Sequence, residues 1–443
     1  MALFGTDGVR GVAGVDLTAE LAHNLAVAAA HVLTDTGELT GHRPIAIIGQ
    51  DSRESGNYLE AAISQGLTNA GIDVYRVGVL PTPAISYLVT TRGADLGVMI
   101  SASHNPATDN GIKFFARTGR KLEDALEARI EAVLGERWHR PENLVAGREI
   151  EDKNAREEYI NYLLGTINTR FDGLRIVVDC ANGAASFVAP EVLRRAGAEV
   201  ISIFAAPNGT NINADCGSTH TANLIARVKS EKADLGIAHD GDADRVLAID
   251  HEGNIVDGDQ ILGILASHTD IPTKTIVGTV MTNLGLIRAL ELQSLKFIAT
   301  PVGDRYVLET MVAEGHMLGG EQSGHVIMRK YANTGDGILT ALHLISEVVR
   351  SGKTLKELAS FMDRYPQVMI NVSGVSKAKL ADNQPVMAAV ADAERELGQR
   401  GRVLLRASGT EPLIRVMVEA ESAELAHRFA SSLAALVKSE LAL

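Results

Sequence analysis

The chain has 443 residues, more than one hydrophobic core usually serves, so two to four domains are expected. Its 42 basic and 55 acidic residues leave a net charge of −13, which argues against adhesion to nucleic acid or to an anionic membrane; an anionic ligand needs a local basic cleft. Residues 1–10 hold no apolar run fit for a signal peptide, and no later stretch approaches the roughly 20 apolar residues of a membrane span, so a cytoplasmic protein is expected.

In chain order, strand and helix patterns alternate, the signal of α/β units. Thr18 can cap a helix whose apolar stripe runs Leu21, Leu25, Ala28 and Val32. Buried strands are expected at 43–49, 73–80 and 95–100. A polar, charged stretch at 137–158, which holds the only tryptophan, breaks the rhythm and suggests a domain boundary. The pattern resumes with strands at 174–179 and 200–204, then 275–280 and 296–300, and reaches a helix at 337–349. From about Pro366 the order is strand, helix, strand, strand, helix, the last helix carrying Leu425, Phe429, Leu433, Leu436 and Val437 on one face. Cys180 and Cys216 match no zinc spacing and read as ordinary buried thiols.

The string DGDADR at 240–245 is the strongest chemical signal. Three carboxylates at alternate positions can converge on one hard cation if Gly241 and Ala243 let the backbone curl, and oxygen ligands suit magnesium, manganese or calcium. An EF-hand needs glycine at its sixth position and glutamate at its twelfth; Arg245 and His251 stand there. Apolar runs on both sides of the string imply that strands deliver the carboxylates. SASHNP at 101–106 follows an expected strand, so a serine there can carry a covalent phosphoryl group beside His104 and within reach of Lys113 in NGIKFF. Alone, that string reads more readily as a polar turn. RASGTEPLIR at 406–415 sets two arginines around a Ser-Gly-Thr loop, a phosphate cradle or an ordinary hairpin. GGEQSGH at 319–325 gathers a carboxylate, an amide, a hydroxyl and an imidazole, which suit sugar hydroxyls or a plain polar turn. FGTDGVRG at 4–11 places Arg10 in a glycine-rich turn that is not a Walker loop.

Taken with VDCANGA, PNGTNINADCGS, VDGDQI and GDRYV, these strings in this order resemble the α-D-phosphohexomutase superfamily across essentially the whole chain, above all its bacterial members acting on glucosamine phosphates. The resemblance implies an α/β fold of four domains around a central cleft. Three would be related α/β domains with mixed sheets, and the fourth a smaller C-terminal α+β domain. Their expected bounds are 1–152 for the phosphoserine, 153–252 for the metal, 253–365 for the sugar and 366–443 for the phosphate. It also implies that Ser103 is the phosphoserine and that Asp240, Asp242 and Asp244, with an oxygen on Ser103, hold Mg²⁺. Arg10, His104, Lys113 and Arg245 would surround the moving phosphoryl, with His104 or Lys113 as general acid and base. Glu321, Ser323 and His325 would bind the sugar, and Arg406, Ser408, Gly409, Thr410 and Arg415 the non-reacting phosphate. Ala243 stands where relatives commonly have glycine.

The implied reaction interconverts glucosamine 6-phosphate and glucosamine 1-phosphate through a 1,6-bisphosphate, with glucose or glucosamine 1,6-bisphosphate as activator. A small phosphosugar would be the substrate, and the protein a homodimer engaging neither nucleic acid nor membrane. Phosphoglucomutase or phosphomannomutase activity is the alternative. An aspartyl-phosphate hydrolase fits less well, because the threonine expected two residues after its second aspartate is Asp244. A non-catalytic binding protein would have no need of all these groups together.

Overall fold

The computed structural model describes residues 3–5, 7–39, 41–136, 138, 144–268, 272–408 and 411–443. Chain contacts divide it into two compact units, 1–279 with 300–359, and 280–299 with 360–443.

The first unit contains a six-stranded sheet in the order Val9–Val12, Asp109–Ala116, Leu96–Ile100, Ile45–Gln50, Asp73–Val79 and Glu149–Glu151. Ile45–Gln50 runs parallel to both its neighbours, and Asp109–Ala116 is antiparallel to both of its own. Leu96–Ile100 is buried at every position, as its unbroken apolar sequence requires of a strand covered on both faces. Helix Ala19–Asp35 starts where expected, Thr18 accepting a hydrogen bond from the Leu21 N–H. It packs on helix Gly56–Asn69 so closely that a Cβ at Gly66 would lie 2.8 Å from the His23 carbonyl oxygen. Two expectations need correction. Arg10 lies within the edge strand Val9–Val12, not in a turn, because residues 9–12 find a partner in 109–112. The stretch at 137–158 does not break the strand and helix rhythm throughout: it adds Glu149–Glu151 to the first sheet and begins helix Ala155–Gly165, while residues 137 and 139–143 lie outside the described residues.

Two hairpins position the chemistry. In the second sheet, ordered Ile255–Val256, Val246–Asp250, Leu235–His239, Arg175–Asp179, Glu199–Ile203, the central pair is antiparallel and begins at His239 opposite Val246. Residues 240–245 are therefore the hairpin connection, held at the rim of two buried strands. In the third layer Thr275–Thr279 runs parallel to Leu318–Gly320, which turns through 321–325 into antiparallel Val326–Met328.

The second unit has an antiparallel sheet, Gln367–Ser373, Leu413–Ala420 and Gly401–Ala407, with helices Leu284–Leu292, Gln384–Leu397 and Ala423–Glu440. The last helix buries Leu433 and Val437 and packs Leu425, Phe429 and Leu436 partly against the same core, as its apolar stripe predicts. Among the described residues no helix is long and apolar enough to cross a membrane.

Candidate active site

Ser103 emerges three residues beyond the end of strand Leu96–Ile100, with φ +51°, a left-handed conformation that costs a non-glycine residue about 1 to 3 kcal/mol. Its backbone is held on both sides. The N–H donates to Ser101 Oγ (2.9 Å), which in turn donates to Asp51 Oδ2 (2.7 Å). The carbonyl accepts from Arg53 Nη2 (2.9 Å) and Asn213 Nδ2 (2.8 Å). Arg53 is 1% exposed, pairs with Asp51 at 2.8 Å, and donates to the carbonyls of Asn105, Pro106 and Asp109, so one guanidinium fixes the whole loop. The buried Ser103 hydroxyl thereby meets Asp240 Oδ2 at 2.6 Å and His104 Nδ1 at 3.3 Å.

The three aspartates of the hairpin loop each offer a carboxylate oxygen within 4.8 Å of the others, and all three are buried. The loop curls as its small residues allow. Ala243 takes φ +58°, and a Cβ on Gly241 would stand 2.5 Å from the Ser103 carbonyl oxygen. Asp242 Oδ2 accepts from Thr82 Oγ1 (2.6 Å) and Lys113 Nζ (2.9 Å), but Asp242 Oδ1 and Asp244 Oδ1 are buried with no hydrogen bond. Burial and the neighbouring Asp244 and Asp242 push the Asp240 acid well above the usual carboxylate range. Burial opposes the charge on Asp242 too, but Lys113 and the hydrogen bonds from Lys113 and Thr82 outweigh it and hold its acid low. Crowded carboxylates with unused inward oxygens, next to a serine hydroxyl, fit a divalent cation with oxygen ligands.

Cations ring this pair. Lys113 is 1% exposed; burial works against its charge, and Asp242, Asp244 and Asp7 more than compensate, so its ammonium is stabilised. Arg245 Nη1 donates to His104 Nδ1 at 3.4 Å, an arrangement open only to an unprotonated Nδ1. Burial, then Arg245 and Arg10, accordingly hold the His104 pKa below its usual value. Arg10 pairs with Asp7 at 3.0 Å. Beyond Arg245 lies a cavity of about 190 Å³, lined by Asp7, Asp244, Arg245, Asp304, Glu321 and His325. Glu321 Oε1 accepts the Gly303 N–H (3.2 Å), Lys121 bridges Asp7 and Asp304, and Ser323 faces solvent on the same hairpin turn as Glu321.

Of the expected site residues, the first unit thus gathers Ser103, His104, Lys113, Arg10, Arg245, the three aspartates, Glu321 and His325. In the second unit, Arg406 and Arg415 face one another across paired strands. Burial and then the like charge of Arg415 lower the Arg406 pKa. Arg415 also pairs with Glu411 (2.6 Å), and Ser408 Oγ accepts the Glu411 N–H (3.2 Å). Gly409 and Thr410 lie outside the described residues. Sequence reasoning missed Lys377, whose ammonium donates to the Ser408 and Glu411 carbonyls at 2.6 and 3.1 Å. It also missed Thr82, Asn213, Arg53 and the group Asp7, Lys121 and Asp304.

Comparison with known proteins matches the chain to four successive domains described as Phosphoglucomutase/phosphomannomutase: alpha/beta/alpha domain I over residues 1–138, domain II over 157–253, domain III over 257–365, and the C-terminal domain over 369–436. Similar proteins include the phosphoglucosamine mutase of Streptomyces avermitilis, 56% identical over 99% of both chains, and that of Thermobifida fusca, 54% identical over 100% of this chain and 99% of its relative. Among solved structures, a phosphoglucomutase/phosphomannomutase family protein of Burkholderia thailandensis has a TM-score of 0.85 at 24% identity, covering 99% of this chain and 97% of its own. The N-acetylphosphoglucosamine mutase of Aspergillus fumigatus, solved with GlcNAc-6P and magnesium, has a TM-score of 0.69 at 18% identity, covering 99% and 96%. These structural likenesses are of fold.

Proposed function

The chain belongs to the phosphoglucomutase/phosphomannomutase family, among its phosphoglucosamine mutases, and we propose how its site carries out that reaction. The enzyme is an isomerase of amino-sugar metabolism that interconverts glucosamine 6-phosphate and glucosamine 1-phosphate; in this reading its product feeds UDP-N-acetylglucosamine and peptidoglycan synthesis. The observation that carries the mechanism is the Ser103 hydroxyl, 2.6 Å from Asp240 and beside His104, with Arg245 on His104 and Lys113 on Asp242 of the same acidic loop.

In this reading phospho-Ser103 gives its phosphoryl group to O1 of glucosamine 6-phosphate. The resulting 1,6-bisphosphate turns end for end, and its 6-phosphoryl returns to the serine oxygen, releasing glucosamine 1-phosphate. Asp240, Asp242 and Asp244, with an oxygen on Ser103, would hold Mg²⁺, which when bound neutralises charge on the phosphoryl oxygens. Arg245, Lys113 and Arg10 stabilise the same developing charge from fixed positions. His104, unprotonated and facing Ser103 Oγ, is placed to exchange a proton there, while Lys113 is engaged by Asp242 and serves as a charge and a proton donor.

Glu321, Ser323 and His325 bind sugar hydroxyls. Arg406, Ser408, Gly409, Thr410 and Arg415, with Lys377 close by, hold the phosphate that is not reacting. A bisphosphate lost in mid-cycle leaves Ser103 bare, and glucose or glucosamine 1,6-bisphosphate would restore it. The protein would work in the cytoplasm, as a homodimer.

The test is the initial rate on glucosamine, glucose and mannose 6-phosphates with Mg²⁺ and a trace of glucose 1,6-bisphosphate. A clear kcat/KM advantage for glucosamine supports the reading. Higher values on glucose or mannose would move the enzyme to hexose phosphates, and no turnover of any would remove the mutase assignment. Within the same assay Arg406→Ala is expected to raise KM by roughly tenfold or more with a smaller change in kcat, because the phosphate it holds is bound alike before and during transfer. An unchanged KM would detach Arg406 from that phosphate.

A further inference from the structure

Glucose and glucosamine 6-phosphates differ only at C2, a hydroxyl in one and an ammonium in the other, so an enzyme that prefers the amine needs an acceptor that reads charge. The cavity beyond Arg245 contains one acid free for that task. Asp7 is fully engaged, Oδ1 by Lys121 and Oδ2 by Arg10. Asp244 belongs to the metal triad. Glu321 spends one oxygen on the Gly303 N–H, and burial pushes its acid up, favouring the neutral form that suits a hydroxyl.

Asp304 differs from all three. It opens helix Asp304–Glu314, where the helix dipole favours a carboxylate. Its Oδ2 accepts from Lys121 at 2.7 Å, and its carboxylate lines the cavity. Burial opposes its charge, but Lys121 and then His325 outweigh that and keep it ionised. Arg10 and Lys121 balance Asp7 and Asp304 in number, so the group does not repel a phosphosugar, yet it retains a directed, ionic acceptor. A second observation points to a ligand in the same place. His325 lines the cavity at 2% exposure, 3.6 Å from Asp304 Oδ2, and neither of its ring nitrogens has a hydrogen-bond partner.

We propose that Asp304 is the specificity-determining residue of this mutase, its carboxylate reading the C2 ammonium of glucosamine phosphate beside His325. The assignment rests on the glucosamine reading above. A buried ionic acceptor discriminates an ammonium from a hydroxyl because the hydroxyl leaves the carboxylate desolvated without a matching charge.

The test is kcat/KM on glucosamine 6-phosphate and glucose 6-phosphate for the wild type and for Asp304→Asn, each phosphoserine-loaded and Mg²⁺-saturated. The ratio of the two values is expected to fall by roughly tenfold or more in the variant, the loss of one charge-assisted hydrogen bond. A ratio that stays constant while both values drop together would overturn the proposal and leave Asp304 a structural partner of Lys121. Wild-type enzyme supplies a second measurement that needs no variant. As pH rises through the titration of the substrate amine, the same ratio should fall, because Asp7, Asp244, Lys121, Arg245, Glu321 and His325 act on both sugars and cancel. A flat ratio would overturn the proposal as well. Wild-type enzyme that shows no preference for glucosamine at any pH would instead remove the reading on which it rests.

Discussion

Ser103→Ala is expected to lose mutase activity to background, on the order of 10⁴-fold or more, with glucosamine 6-phosphate, Mg²⁺ and a 1,6-bisphosphate all saturating. The size follows from the site. Ser101 is the next hydroxyl along the loop, but it is committed to Asp51 and to the Ser103 N–H, so it cannot take over the transfer. Because Arg53 and Asn213 hold the Ser103 carbonyl, not its side chain, the loop should keep its course in the alanine variant. Intact-mass measurement after incubation with labelled glucose 1,6-bisphosphate checks the same point independently of turnover: the wild type gains one phosphoryl group and the variant none. An active variant, or label recovered on an aspartate, would sink the phosphoserine mechanism.

What the sequence disclosed and what it hid divide along one physical line. DGDADR is legible because its three carboxylates are neighbours in the chain and their common target is set by a single hairpin turn. SASHNP is legible as a loop at a strand end, since its apolar strand precedes it directly. The groups that hold these strings in place come from far away. Asn213 reaches the Ser103 carbonyl across 110 residues, Thr82 reaches Asp242 across 160, and Lys121 reaches Asp304 across 183. None of them sits in a pattern of its own, so only the tertiary fold assigns them a task. Arg53 could have been suspected: a charged residue two after Asp51, just beyond a buried strand, is costly unless it satisfies buried acceptors. The C-terminal strand, helix, strand, strand, helix order was readable because each element has its own period, apolar stripe or cap. Arg10 was misplaced because glycines signal turns locally, and nothing in the string at 4–11 announces that residues 9–12 pair with the distant 109–112.

Asp242→Asn is expected to remove most activity even at saturating Mg²⁺, by about two orders of magnitude or more, while leaving the chain folded. Asp242 has two duties that an amide cannot combine. Its Oδ1 is buried, unpartnered and open to a cation, and its Oδ2 fixes Lys113 and Thr82. Asparagine could present its one carbonyl oxygen to a metal or to Lys113 and Thr82, but its amide nitrogen, a donor only, would then face the Lys113 ammonium or the cation. It would also remove the largest electrostatic support of the Lys113 ammonium, a buried charge whose stabilisation begins with Asp242. Two deficits are therefore expected: a weaker apparent Mg²⁺ affinity, and a reduced kcat that added Mg²⁺ does not restore. Calorimetric Mg²⁺ titration of the unphosphorylated protein reads the first without any turnover, and the Mg²⁺ dependence of the rate reads both. Full recovery of kcat at high Mg²⁺ would mean that Asp242 acts on the metal alone and that its contact with Lys113 contributes nothing to transfer. Wild-type Mg²⁺ affinity in the variant would take Asp242 out of the metal site and leave Asp240 and Asp244 to hold the ion with Ser103.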